Sequence, residues 1–269
     1  MRINTNVNAM IATNQMSKNT ALAGNSMEKL STGLRITKAG DDAAGLAVSE
    51  KMRAQIRGME QAERNVQDGI SMVQTAEGAL EEAGNIAQRM RELSIQAGND
   101  TLNSTDRTKI KTELEELQKE MTNISEETTF NGNKLLAADK KFTIQSGANS
   151  EVREVQMENL ASVASSLGST IDVSTVSNAQ AFTTKVDTAL EKINEGRSKL
   201  GAMQNRLEYT SSNLTTSTEN LSAAESRIRD VDVAKEMVKL SKLNILNQAS
   251  QAMVSQAKQQ PESVTQLLR

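Results

Sequence analysis

The tightest constraint on this chain is a spacing. From Leu200, apolar or small residues recur at alternating intervals of three and four: Leu200, Met203, Leu207, Thr210, Leu214, Ser217, Leu221, Ala224, Ile228 and Val231. A seam this long without a breaker predicts a coiled-coil-like helix that must lie along another helix. Val186, Leu190 and Ile193 extend it upstream, so the helix is expected over about 180–231. The single proline, Pro261, lies beside the C-terminus and interrupts nothing before it.

Two more helices are legible. One starts at about residue 42 and runs to about 97, with Val48, Met52, Ile56, Met59, Val66, Ile70, Val73, Leu80 and Met90 as apolar markers. At 1.5 Å per residue it would reach roughly 80 Å. The other covers 105–127, with Ile110, Leu114, Leu117, Met121 and Ile124 on one face; "NSTD" offers Ser104 or Thr105 as its cap and Asp106 for its first turn. Between the helical arms, "TTFNGNKLL" holds an Asn131–Gly132 turn signal, and "KFTIQSGAN" and "EVREVQM" alternate with period two. A β region is expected over about 128–157. The Ser/Thr-rich stretch 161–180 reads as an exposed connection. The expected fold class is mainly α: a long antiparallel coiled-coil-like helical rod formed by N- and C-terminal arms, with a small β-hairpin region at the tip.

Composition removes most chemistry. Aromatic residues make up 1% of the chain, and there is no Trp, His or Cys. A pocket built on aromatic rings, an imidazole base, a thiolate nucleophile and a Cys-based zinc site are all excluded. No catalytic residue, cofactor site or metal site is expected, so the chain does not read as an enzyme. A net charge of −3, without a long basic run, argues against nucleic acid. The opening "MRINTNVNAMIATNQMSKN" lacks the apolar core of a secretory signal, and no stretch approaches the ~18 apolar residues of a membrane span.

The two ends carry only thin apolar stripes: Ile3, Val7, Met10, Ile11, Ala21, Met27 and Leu30 at one, Leu240, Leu243, Ile245, Leu246, Met253, Val254, Leu267 and Leu268 at the other. Helices of this kind are marginal alone in water. Residues 1–40 and 232–269 are therefore expected to stay mobile until several copies cover each other's faces, with 41–231 forming a rod. That points to a self-assembling subunit, a homo-oligomer.

One mid-chain break needs an explanation. "LSTGLRITKAGDDAAGLAVSEKMR" (30–53) stops for Gly33, Gly40 and Gly45 and restarts on two aspartates. It lacks the G-x-x-x-x-G-K-[ST] phosphate loop, and Asp41–Asp42 have no further metal ligands at useful spacing. The remaining reading is a hinge. Asp41 caps the next helix, Asp42 and Glu50 occupy its early part, and Gly33 and Gly40 bound a connector where a side chain would restrict φ.

Taken in order, "INTN", "LSTGLRITKAGDDAAGLAVSEKMR", "NVQDGISMVQTAEGAL", "QRMRELSIQAGN", "FNGNKLL" and the terminal "LLR" resemble bacterial flagellin, of the short kind without large outer domains. The resemblance implies an extracellular helical filament for motility, reached by export of the unfolded chain through the flagellar type III apparatus. It implies as partners an export chaperone on the C-terminal arm, filament cap and junction proteins, and the animal innate receptor that senses flagellin. The matching receptor and inter-subunit positions here are Gln88, Arg89, Arg91, Glu92, Leu93 and Ile95, with Glu113 on the neighbouring helix. Spacing alone favours packing of Leu93 in the rod, three residues after Met90. Two other readings stay open: a hook–filament junction protein with similar ends, and a cytosolic coiled-coil scaffold.

Overall fold

A computed structural model of the chain describes residues 6–168 and 171–267, with side chains as far as residue 259. Its elements, in chain order, are α1 (Val7–Thr32), α2 (Ala43–Ala97), α3 (Ser104–Glu127), β1 (Thr129–Phe130), β2 (Asn133–Lys134), β3 (Lys141–Gln145), β4 (Val152–Gln156), α4 (Leu160–Ser166), α5 (Val176–Arg229) and α6 (Val233–Leu267). The fold is mainly α, as the periodicity requires, with two separate antiparallel hairpins, β1–β2 and β3–β4.

Each helix begins on a residue whose side chain accepts a hydrogen bond from the amide three positions on. The caps are Asn6, Asp42, Asn103, Asn159, Thr175 and Asp232. Such a cap satisfies one of the amides that a helix start leaves without a partner. The α3 cap is Asn103, one residue before the expected Ser104 or Thr105, and Asp106 supplies the capped amide. In the β1–β2 turn both Asn131 and Gly132 have positive φ, at 49° and 78°, the backbone that two-residue hairpins favour.

Contacts divide the chain into two units: residues up to 54 with those from 220 onward, and residues 55–219. In the second unit α2 and α5 run antiparallel. Ser94 meets Thr183 at 2.9 Å, Arg91 meets Asp187, Glu81 meets Arg197 and Glu63 meets Thr215, so numbers fall along one helix as they rise along the other. The inward face of α2 is a seam of small and medium residues, among them Ala62, Val66, Val73, Ala76, Leu80, Ala83, Ala87 and Met90. Phe182, Val186, Ile193, Leu200, Leu207 and Leu214 of α5 share its core, as do Ile110, Leu114 and Met121 of α3.

The stretch 161–180 is not an exposed connection. It holds all of α4 but the first residue, Leu160, and among its described residues Val163, Leu167, Ile171 and Val173 are buried in the same core as Leu160. Its serines disguise it. The hydroxyls of Ser162, Ser165 and Ser166 return to backbone carbonyls at Asn159, Ala161 and Val163, which lets polar residues ride on a short helix that buries its apolar side. Helix α5 also starts earlier than expected, at Val176.

In the first unit α1 and α6 pack antiparallel: Asn6 donates to the carbonyl of Ala257 at 2.6 Å, and Thr20 meets Asn247 at 3.4 Å. The buried residues of α1 are polar, Asn19 and Ser26.

Candidate functional site

Three places carry the sequence-derived candidates. The first is the connector between α1 and α2. Gly33 ends α1 at φ 71°, in the left-handed conformation that closes helices and suits glycine. Gly40 has no such conformation, and a side chain there would meet open space, so the expected constraint at Gly40 is absent.

The two aspartates divide their roles differently from the expectation. Asp42, not Asp41, caps α2: its Oδ1 accepts from the Gly45 amide at 2.9 Å, and its carbonyl accepts from Leu46. Asp41 instead closes the connector on itself. One of its carboxylate oxygens accepts from the Thr37 amide, the Thr37 hydroxyl and the Lys38 amide at 3.0–3.1 Å. Those donors, the Thr37 and Lys38 amides first, hold its carboxyl below the ordinary value of 3.8. Gly45 has a steric reason as well. A Cβ there would strike the Asp42 carboxylate and come within 2.8 Å of the buried Ile36.

The connector is paired with the one between α5 and α6. The Arg35 amide donates to the Arg229 carbonyl at 2.6 Å, the Val231 amide donates to the Gly33 carbonyl at 3.0 Å, and Leu34 bridges Asp230. The Arg35 guanidinium reaches the Ile228 carbonyl. The buried Arg229 donates to Ser49 at 3.2 Å and to Glu50 at 2.5 Å. Asp232 caps α6, and the Lys235 amide holds its carboxyl below the ordinary range. Sequence reasoning missed Arg229 and Asp232. The aspartate before a helical run was a usable signal, but no local pattern marks a pair separated by some 180 residues.

The second place is the 88–95 face of α2. Gln88, Arg89, Arg91, Glu92 and Ile95 are exposed. Arg89 pairs with Glu113 of α3 at 2.9 Å and with Glu92 at 3.2 Å, while Arg91 pairs with Asp187 of α5 at 2.6 Å. Glu113, and then Glu92, raise the basicity of Arg89. Leu93 does not belong to this face. It is 2% exposed and lies in the core, as its distance from Met90 allows.

The third place is the pair of terminal helices. On α1, Val7, Met10, Ile11, Leu22 and Met27 are exposed, Ile11 to 60%. On α6, Met237, Val238, Ser241, Lys242, Ile245 and Leu246 line one shallow apolar groove, with Val238 exposed to 72%. Leu243 is buried and Leu240 half-buried. Ile3 and Leu268 lie outside the described residues, as does the side chain of Leu267. The terminal pair thus joins partly through polar residues and turns much of its apolar surface outward. Patches of that kind mark interaction surfaces in soluble proteins. Among the described residues no three carboxylates gather as a metal site, and no helix is long and apolar enough to cross a membrane.

Comparison with known proteins gives a family match at each end of the chain. Residues 3–141 fit the bacterial flagellin N-terminal helical region, and residues 183–268 fit the bacterial flagellin C-terminal helical region. The chain is 53% identical to the flagellin of Halalkalibacterium halodurans and 48% identical to that of Bacillus subtilis, in each case over 100% of both proteins. Among solved structures, Bacillus cereus flagellin superposes with a TM-score of 0.52 at 34% identity, covering 60% of this chain and 94% of that one.

Proposed function

The chain belongs to the bacterial flagellin family, and from that premise we propose how its parts divide the work of a filament subunit. It is a structural protein that self-assembles into the extracellular flagellar filament for motility. Its length matches the short relatives end to end, without a large variable domain. The full-length identity to flagellins favours this reading over a junction protein or a cytosolic scaffold. Its work is assembly, without catalysis.

The assembly seam lies on α1 and α6. The observation that carries this assignment is the inversion of polarity in that pair: Asn19 and Ser26 are buried while Val7, Ile11, Val238 and Ile245 face outward. Apolar side chains held against water stabilise a structure only when something covers them. A second copy supplies the cover. Residues 1–40 and 232–269 are the segments that order on assembly, and the C-terminal one is where an export chaperone would hold the unfolded chain. The paired connectors, closed by Asp41 and capped by Asp42 and Asp232, are the hinge that sets the helix directions. The exposed face of Gln88, Arg89, Arg91, Glu92, Ile95 and Glu113 is the surface for a neighbouring subunit and for the host innate receptor, with Leu93 supporting it from below.

Electron microscopy of the purified protein under polymerising conditions tests the reading. Long filaments are expected. Persistent monomers or shapeless aggregates at high concentration would contradict it.

A further inference from the structure

Two helices of the 55–219 unit carry rows of like charge with the same repeat. On α5, Lys185, Lys192, Lys199 and Arg206 follow each other at intervals of seven. On α3, Asp106, Glu113, Glu120 and Glu127 do the same. Seven residues are close to two helical turns, so each row keeps to one side of its helix with charges about 10 Å apart. All four cations are exposed, as are Glu113, Glu120 and Glu127, and Asp106 is half-exposed.

Within one copy the rows do not satisfy each other. Lys199 pairs with Glu195 and Glu158, Glu113 with Arg89 and Asp106 with Lys109. Among the described residues no carboxylate lies within ion-pair distance of Lys185, Lys192 or Arg206, and no cation within reach of Glu120 or Glu127. The positions three residues along α5 from these cations are Thr188, Glu195, Ala202 and Tyr209, so a single carboxylate dilutes the positive row. On α3 they are Lys109, Glu116 and Asn123.

We infer that the cationic row on α5 of one copy docks against the acidic row on α3 of a second copy, forming a lateral contact between subunits. Opposite charge and a common repeat let four positions face four without distorting either helix. Direction agrees too. Both α3 and α5 run antiparallel to α2: Arg89 pairs with Glu113 just across the turn that joins α2 to α3, and α5 is matched to α2 residue by residue. The two helices are therefore parallel to each other. Neighbouring copies that point the same way present them in parallel, with Asp106 toward Lys185 and Glu127 toward Arg206. Two different patches meet, so the contact is heterologous and propagates instead of closing on itself. The inference rests on the filament reading and adds an electrostatic contact to its apolar seam.

Charge reversal in the full-length chain tests it, read as the critical concentration for polymerisation at low salt with helicity checked by circular dichroism. One variant carries Lys192→Glu, Lys199→Glu and Arg206→Glu. A second carries Glu113→Lys, Glu120→Lys and Glu127→Lys, and a third carries all six changes. A control reverses three exposed cations off the row, Arg57→Glu, Lys134→Glu and Lys140→Glu. Three exposed pairs of ordinary strength amount to about tenfold, so each row variant should raise the critical concentration by at least that much. The six-change variant should return close to the parent, and the control should move little. Added salt should narrow the gap. Row variants that assemble like the parent, a control as impaired as they are, or no rescue in the six-change variant would each overturn the inference while leaving the filament reading in place. Inorganic polyphosphate bound equally by parent monomer and filament, and lost in an α5-row variant that still assembles, would assign the row to a polyanion and overturn it too. A parent that forms no filament would remove the filament reading and this inference together.

Discussion

Asp41 and Asp42 are neighbours in the chain with separate duties, and their substitutions should separate. Asp42→Ala removes the α2 cap and should cost about 1 kcal/mol of monomer stability in denaturant melts. Asp41→Ala releases the connector without touching the cap, so the filament form should change while α2 helicity stays. Equal effects of the two substitutions on helicity would contradict this division. Gly33→Ala forces a side chain into the left-handed region and should cost about 1–2 kcal/mol, whereas Gly40→Ala should be close to neutral. The pH dependence has a definite sign. Asp41 and Asp232 are both held below 3.8, Asp41 by the Thr37 and Lys38 amides and Asp232 by the Lys235 amide. A carboxylate depressed in the folded state contributes stability that is complete above its unfolded value and is lost as pH falls through its folded one. The connectors should therefore loosen only in acid below about pH 4. Carboxyl-carbon NMR of the assembled protein should give midpoints under 3.8 for both groups; midpoints at or above it would contradict the hydrogen-bond account. On α2, Leu93→Ala should destabilise the 55–219 unit by about 2–5 kcal/mol, while Arg89→Ala, a change at the solvent-exposed face, should leave its melting close to the parent's. Receptor signalling lost in the Arg89 variant with the fold intact would support the surface reading, and undiminished signalling would end it.

At the scale of elements, the proposed seam makes α1 and α6 dispensable for the fold of the other unit and indispensable for assembly. Deleting residues 1–30 or 240–269 should leave the 55–219 core folded, with cooperative melting, and abolish polymerisation. Normal long filaments from either truncated protein would refute the assignment of the seam. Much of this was legible because long helices advertise themselves: the three-four spacing placed α2, α3 and α5 within a few residues, and Asn131–Gly132 placed the first hairpin. What was not legible has physical reasons. Two adjacent aspartates are equivalent caps on paper, and only the three-residue reach to Gly45 selects Asp42. Asn, Ser and Thr side by side before α3 posed the same ambiguity. The 161–180 stretch was misread because serine hydroxyls that bond to their own helix look like solvent-facing polarity. Arg229 was invisible because its partners, Ser49 and Glu50, are distant in sequence.

At the scale of the whole molecule, the two units divide polarity differently. The 55–219 unit buries its apolar side chains within one chain, from Ala62 to Leu214, and presents charge outside. The terminal unit leaves Val7, Ile11, Val238 and Ile245 uncovered, and under the proposed seam its stability should rise with protein concentration as other copies cover them. The most direct measurement is the critical concentration for polymerisation, by sedimentation and electron microscopy, of the Val238→Glu, Ile245→Glu double variant against the parent. Both side chains already face water in the single chain, so monomer helicity and melting should be unchanged while the critical concentration rises at least about a hundredfold, each buried charge costing several kcal/mol. Filaments forming at the parent's concentration, or a monomer that melts earlier by the full cost of a core substitution, would contradict the claim that this apolar face is the seam between subunits.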